Sequence, residues 1–204
     1  MDSPSDFHIL CVTNRGLCPG DFLERLEAVA AAGPDGLILR EKDLGEGDYR
    51  TLAMKAVDIC GRHGVPCVLH TYPRVALELG TGVHLPLPAL RSLSAGARAE
   101  LRLIGASCHS MQDALEAQAL GATYITAGHV FATGSKPGLP PRGLGFLKEV
   151  CGAATLPVYA IGGVNAGNIA DVRAAGALGA CVMGDFMRCP DPGALIAALR
   201  EATG

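Results

Sequence analysis

Three stretches of this 204-residue sequence bring together side chains that can move protons or hold anions. They are Arg40-Glu41-Lys42, Ser107-Cys108-His109-Ser110, and the run from Ala127 through His129 and Thr133 to Lys136. An imidazole titrates near neutral pH, so His129 is suited to take up and return a proton. Lys136 and Arg142, in the Pro/Gly-rich segment that follows, suit a carboxylate or a phosphate. A hydrogen-bonded core histidine beside a solvated basic loop fits the same residues, and composition does not choose between the two. Strand alternation sets Arg40 and Lys42 on one side and Glu41 on the other. Two cations on one face point to an anionic ligand or to a surface ion-pair cluster. Ser107 stands where it can line a site, whereas Ser110 reads as a helix cap.

Two glycine turns add a place for an anion: Ala160-Ile161-Gly162-Gly163 and Val182-Met183-Gly184. Without side chains, such turns let an anion approach the backbone N–H groups, although Gly also serves tight turns for shape alone. Asn165 is placed to cap the helix after the first turn. Sequence suggests no partners for His8, His63 and His84, which read as structural or surface residues.

The apolar pattern supplies a scaffold that gathers these residues. Strand-like runs begin near His8, Gly36, Pro66, Gly82, Leu101, Thr123, Pro157 and Gly179, with segments of helical period between them, such as Leu23, Leu26, Val29 and Ala30. Eight strands alternating with eight helices predict an α/β fold, a single (β/α)8 TIM barrel filling one domain over residues 1–204. A doubly wound open sheet shares the pattern. Ser110 three residues before Asp113 and the pair Asp191-Pro192 mark helix starts. In such a barrel the chemistry lies where the strands end, with phosphate commonly held after the last two. The segment from Ala132 to Arg142 is long for a barrel loop and reads as a lid or binding loop.

A formal charge of -3, from 17 basic and 20 acidic side chains, leaves no electrostatic footprint for nucleic acid or an anionic membrane. Eight cysteines without C-x-x-C spacing read as small buried hydrophobes. The opening MDSPSDF has neither a basic region nor an apolar stretch, and no apolar run is long enough to span a bilayer, so the expected location is cytoplasmic.

In chain order, Arg-Glu-Lys at 40–42, Gly-Val-His-Leu at 82–85, Ser-x-His-Ser at 107–110, Gly-His-Val-Phe-x-Thr at 128–133 and Ala-Ile-Gly-Gly at 160–163 resemble one superfamily over nearly the whole chain. It comprises the thiamin phosphate synthases and the TenI-type thiazole tautomerases. The synthase branch joins a pyrimidine pyrophosphate to a thiazole phosphate and implies Mg²⁺ held by carboxylates, from an Asn-Asp pair after strand three and Gly-Gln-x-Asp after strand four. Here those positions read His70-Thr71 and Pro86-Leu87-Pro88-Ala89, and Ile38 replaces the synthase glutamine two residues before Arg40. Gly-His-Val-Phe in place of the usual synthase Gly-Pro-Val-Phe is like the tautomerases, whose catalytic histidine corresponds to His129.

The resemblance therefore implies a thiazole tautomerase, an isomerase of thiamin biosynthesis that aromatises a carboxylated thiazole phosphate through a His129 proton shift without metal or cofactor. It implies phosphate binding by Gly162, Gly163, Met183 and Gly184, with Arg40, Lys42, Ser107, Thr133 and Lys136 orienting the rest. The expected partner is a small phosphorylated thiazole, and a homodimer is open to a barrel of this size. Two alternatives stand beside it: a thiamin phosphate synthase and a non-catalytic phosphate-ligand sensor.

Overall fold

The computed structural model describes residues 7–204; segment 1–6, read above for a leader, lies outside them. Eight strands pair in parallel and in sequence order: β1 (His8–Val12), β2 (Gly36–Leu39), β3 (Cys67–His70), β4 (Gly82–Pro86), β5 (Ile104–Cys108), β6 (Tyr124–Gly128), β7 (Val158–Ile161) and β8 (Gly179–Val182). β8 returns to β1, with Cys11 opposite Val182, so the sheet closes into the expected (β/α)8 barrel and the open-sheet alternative falls away.

The helical count departs from the expected eight. Among the described residues the β4–β5 connection holds two short helices, Leu87–Arg91 and Ala95–Glu100, and β8 is followed by Gly184–Arg188 before the final helix Pro192–Glu201. Two predicted helix starts are in place. Ser110 Oγ accepts from the Asp113 N–H at 3.0 Å, and Asp191 accepts from the Ala194 N–H at 3.0 Å with Pro192 at the first helical position. The expectation for Asn165 is corrected. The helix Ile169–Ala174 begins after Asn168, and the Asn165 side chain folds back to the Gly167 N–H at 2.8 Å and the Gly163 carbonyl at 3.3 Å, closing the turn. The cysteine expectation holds in part: all eight are free, but Cys18, Cys67, Cys151 and Cys189 are only partly buried. No helix among the described residues is long and apolar enough to cross a membrane.

A parallel sheet wrapped in helices must bury both faces. The outer face packs Leu, Ile, Val and Ala side chains against the helices. The barrel interior is different: Val12, Ile38, Val68, Tyr124, Tyr159 and Cys181 share it with imidazoles. His8 Nδ1 lies 3.0 Å from the Tyr159 hydroxyl, Tyr124 meets Tyr159 edge-on at 5.6 Å, and the Tyr124 hydroxyl reaches His84 Nδ1 at 3.0 Å. His84 then stacks on His70 at 5.7 Å, close to the mouth. Gly105 stands between His84 and Tyr124 in register, and a Cβ there would collide with both side chains. The missing side chain makes room for their hydrogen bond. Of the remaining histidines, His63 is a surface residue bonded to Glu27 at 2.5 Å.

Burial lowers the pKa of His84 from 6.5 to about 3, the nearby Arg40 charge assisting, and lowers that of His70 to about 3 with His84, Arg40 and Lys42 assisting. Both rings are neutral in the fold at ordinary pH. As pH falls from about 6.5 toward 3, the unfolded chain binds protons that the folded chain refuses, so these groups cost stability on acidification. Denaturant titrations of His84→Asn across this window are expected to show a slope of stability against pH shallower by nearly one proton. An unchanged slope would contradict the buried neutral ring. Gly105→Ala is expected to lose about 2–3 kcal/mol by overpacking the interior, and a loss below about 0.5 kcal/mol would rule that packing out.

Candidate active site

The C-terminal strand ends open into a cavity of about 730 Å³. His129, Arg40, Lys42, Ser107, Thr133 and Lys136 line it, together with Gly162, Gly163, Met183 and Gly184. Arg142, expected to suit an anion, does not: its guanidinium lies over the Phe146 ring, 5.5 Å from the centroid.

Glu41 explains how the β2 end is held. Its buried carboxylate accepts from Thr13 Oγ1 at 2.6 Å and from the Arg15 N–H at 2.9 and 3.1 Å, while Thr13 Oγ1 accepts from the Arg40 N–H at 2.9 Å. Desolvation raises the Glu41 pKa, and the Thr13 and Arg15 hydrogen bonds oppose that rise. With Glu41 turned into this clamp, alternation leaves Arg40 and Lys42 on the cavity side.

The loop after β6 is tied to the β7 turn. The Val130 and Phe131 N–H groups donate to the Ile161 and Gly162 carbonyls, each at 2.9 Å. Its far end returns as the Arg142 N–H donates to the His129 carbonyl at 3.0 Å and the Gly143 N–H to that of Val130 at 2.9 Å. Inside the loop, the Lys136 N–H donates to the Thr133 carbonyl at 3.1 Å. His129 is only 7% exposed; Nε2 lies 3.4 Å from the Leu139 carbonyl, and Nδ1 has no hydrogen-bond partner among the described residues. Gly162 and Gly163 have φ of 98° and 69°, a region that disfavours other residues. A Cβ on Gly162 would strike His129 and one on Gly163 would strike the Ala132 carbonyl, so these glycines also admit the β6 loop.

Sequence reasoning missed Arg188. Its guanidinium occupies the place a Cβ on Gly184 would take, and it lines the cavity. The available signal was an arginine one helical turn after the second glycine turn. It also missed the link between His84 and the site: His84 Nε2 lies 2.9 Å from Ser107 Oγ and 3.4 Å from Thr126 Oγ1.

Charge in the cavity is one-sided. Arg40, Lys42, Lys136 and Arg188 line it, none in an ion pair among the described residues, and Asp185 is the one carboxylate lining it among those residues. The Lys42 pKa is lowered by burial and by the like charges of Arg40 and Lys136. An anion between them relieves that repulsion. The Mg²⁺ of the synthase chemistry does not fit these residues. Mg²⁺ binds through carboxylate oxygens and ligand phosphates, but Thr71 turns its hydroxyl to His70 Nδ1 at 2.5 Å and Ala89 carries no ligand. No group of three or more His, Cys, Asp or Glu among the described residues could hold a metal ion.

Comparison with known proteins corrects the functional expectation. A thiamine-phosphate synthase from Desulfitobacterium hafniense is 32% identical over 204 aligned residues, covering 96% of this chain and 97% of the relative. One from Salinispora arenicola is 39% identical, covering 74% of each chain. The solved structure of a thiamine phosphate pyrophosphorylase from Pyrococcus furiosus superposes with a TM-score of 0.82 at 25% identity, covering 98% of this chain and 96% of that one. The expected thiazole tautomerase, and with it the isomerase class, is therefore overturned. It rested on the Gly-His-Val-Phe motif and on the replacement of the synthase aspartates and glutamine by Thr71, Ala89 and Ile38, local features that weigh less than identity spread along the chain to relatives named as synthases. The family model described as thiamine monophosphate synthase matches residues 9–186, from the first strand to the turn after the last, and the chain belongs to that family.

Proposed function

We propose that this protein is a thiamine-phosphate synthase, a transferase that joins a thiazole phosphate to a pyrimidine pyrophosphate. The observation that carries the reading is identity to named synthases over nearly the whole chain, and the cavity suits it by offering two regions for anions. In this reading the thiazole phosphate rests on the N–H groups of the Gly162–Gly163 and Met183–Gly184 turns, with Arg188 alongside. Arg40, Lys42 and Lys136 face the pyrophosphate, and Ser107 and Thr133 orient what lies between. A bond forms between the two heterocycles, and the bond to pyrophosphate breaks with its electron pair leaving on the departing oxygen. Basic side chains stabilise that growing negative charge.

No carbon-bound proton needs relocating in this reaction, so the proton shuttle expected of His129 has no step to serve. His129 instead lines the ligand cavity, with its Nδ1 buried and without a hydrogen-bond partner among the described residues. The replacement of both family aspartates by Thr71 and Ala89 favours a second reading, a phosphate-ligand sensor that binds without transfer.

One assay separates the two. With both heterocycles present, the purified protein is expected to form thiamine phosphate and pyrophosphate in equal amounts. Arg188→Met is expected to raise KM for the thiazole phosphate about tenfold, the usual scale for losing a charged hydrogen bond. Tight binding of the thiazole phosphate with no pyrophosphate released would replace the transferase by the sensor.

A further inference from the structure

From opposite sides of the barrel mouth, the ends of β2 and β5 and the loop after β6 present hydrogen-bond donors and cations to one cavity. Arg40 and Lys42 stand at the end of β2, Lys136 on the loop and Ser107 on β5, all lining the same cavity. The direction of the Ser107 hydroxyl follows from its partners. The Tyr124 phenol is buried and its pKa pushed well above the usual value, so it keeps its proton. Its hydroxyl lies 3.0 Å from His84 Nδ1, which takes that proton as acceptor. A neutral imidazole has a single N–H, which then sits on Nε2 and donates to Ser107 Oγ at 2.9 Å. The Ser107 O–H is left to donate into the cavity.

We propose that the space between these side chains is a divalent-cation-independent seat for an oligophosphate, in which Arg40, Lys42 and Lys136 supply the charge and Ser107, aimed by Tyr124 and His84, supplies a neutral donor. The choice of pyrophosphate as occupant rests on the transferase reading; the seat rests on these side chains. A metal bridges phosphate to protein carboxylates, and where Thr71 and Ala89 replace the carboxylates, phosphate oxygens meet cations directly. Tyr124 and His84 are positioning residues, since their hydrogen bonds reach the cavity only through Ser107.

The test is calorimetric titration of the full-length protein with inorganic pyrophosphate, in excess EDTA and again with Mg²⁺, compared at equal free pyrophosphate. Binding in EDTA, no tighter with Mg²⁺, is expected. Lys42→Met and Ser107→Ala should each weaken it about tenfold, with Ser107→Thr restoring most of the loss. Tyr124→Phe leaves Nδ1 without its donor and lets the Ser107 proton turn inward. It should weaken binding about as much as Ser107→Ala, and the double variant should be no worse than either. Binding that requires Mg²⁺, no binding at all, inorganic phosphate bound as tightly as pyrophosphate, or additive losses in the Tyr124/Ser107 cycle would each overturn the assignment. If Tyr124→Phe does not fold, the comparison of Ser107→Ala with Ser107→Thr decides the donor. Pyrophosphate binding in EDTA without thiamine phosphate formation would sink the transferase and leave the seat standing; transfer with binding only in Mg²⁺ would do the reverse.

Discussion

Closure of eight short parallel strands brings Arg40, Lys42, Lys136 and Arg188 to the rim of one cavity, where a single carboxylate among the described residues stands beside them. Like charges gathered in a partly desolvated space raise one another's free energy. The Lys42 pKa shows the effect, lowered by burial and by the charges of Arg40 and Lys136. Glu41, the acidic neighbour in sequence, acts on Arg40 through its charge but does not line the cavity, its oxygens being hydrogen-bonded to Thr13 and to the Arg15 backbone. The rest of the site follows from this imbalance, which a bound anion offsets and a metal ion would worsen.

The barrel interior serves the same end by another route. Many barrels fill that space with branched aliphatic side chains, whereas this one includes phenols and imidazoles linked by hydrogen bonds. Buried polar groups are tolerable only when partnered. His84 meets that condition on both ring nitrogens, with Tyr124 on one side and Ser107 on the other. Gly105 supplies the room, and neutrality of the rings keeps further charge out of the core. A packing feature of the barrel thereby sets the direction of a hydroxyl at the mouth.

The barrel itself was readable because a parallel sheet buried on both faces writes itself as apolar runs, and all eight runs became strands. The short helices Leu87–Arg91 and Gly184–Arg188 were not readable, being too brief for a helical period to appear. Strand-end position was sufficient to gather His129, Arg40, Lys42, Ser107 and the glycine turns. Arg188 escaped because its approach depends on an empty Cβ position at Gly184. His84 escaped because its partners Tyr124 and Ser107 lie 40 and 23 residues away. Assigning the reaction from His129, Thr71, Ala89 and Ile38 failed because a few side chains in a shared scaffold do not select among its chemistries.

The most direct measurement is the anomalous scattering map of crystals grown with pyrophosphate and Mn²⁺, an anomalous stand-in for Mg²⁺. The account predicts pyrophosphate density against Arg40, Lys42 and Ser107 with no manganese bound by protein oxygens. A manganese peak held at the barrel mouth by side-chain oxygens, with the pyrophosphate resting on it, would contradict the account.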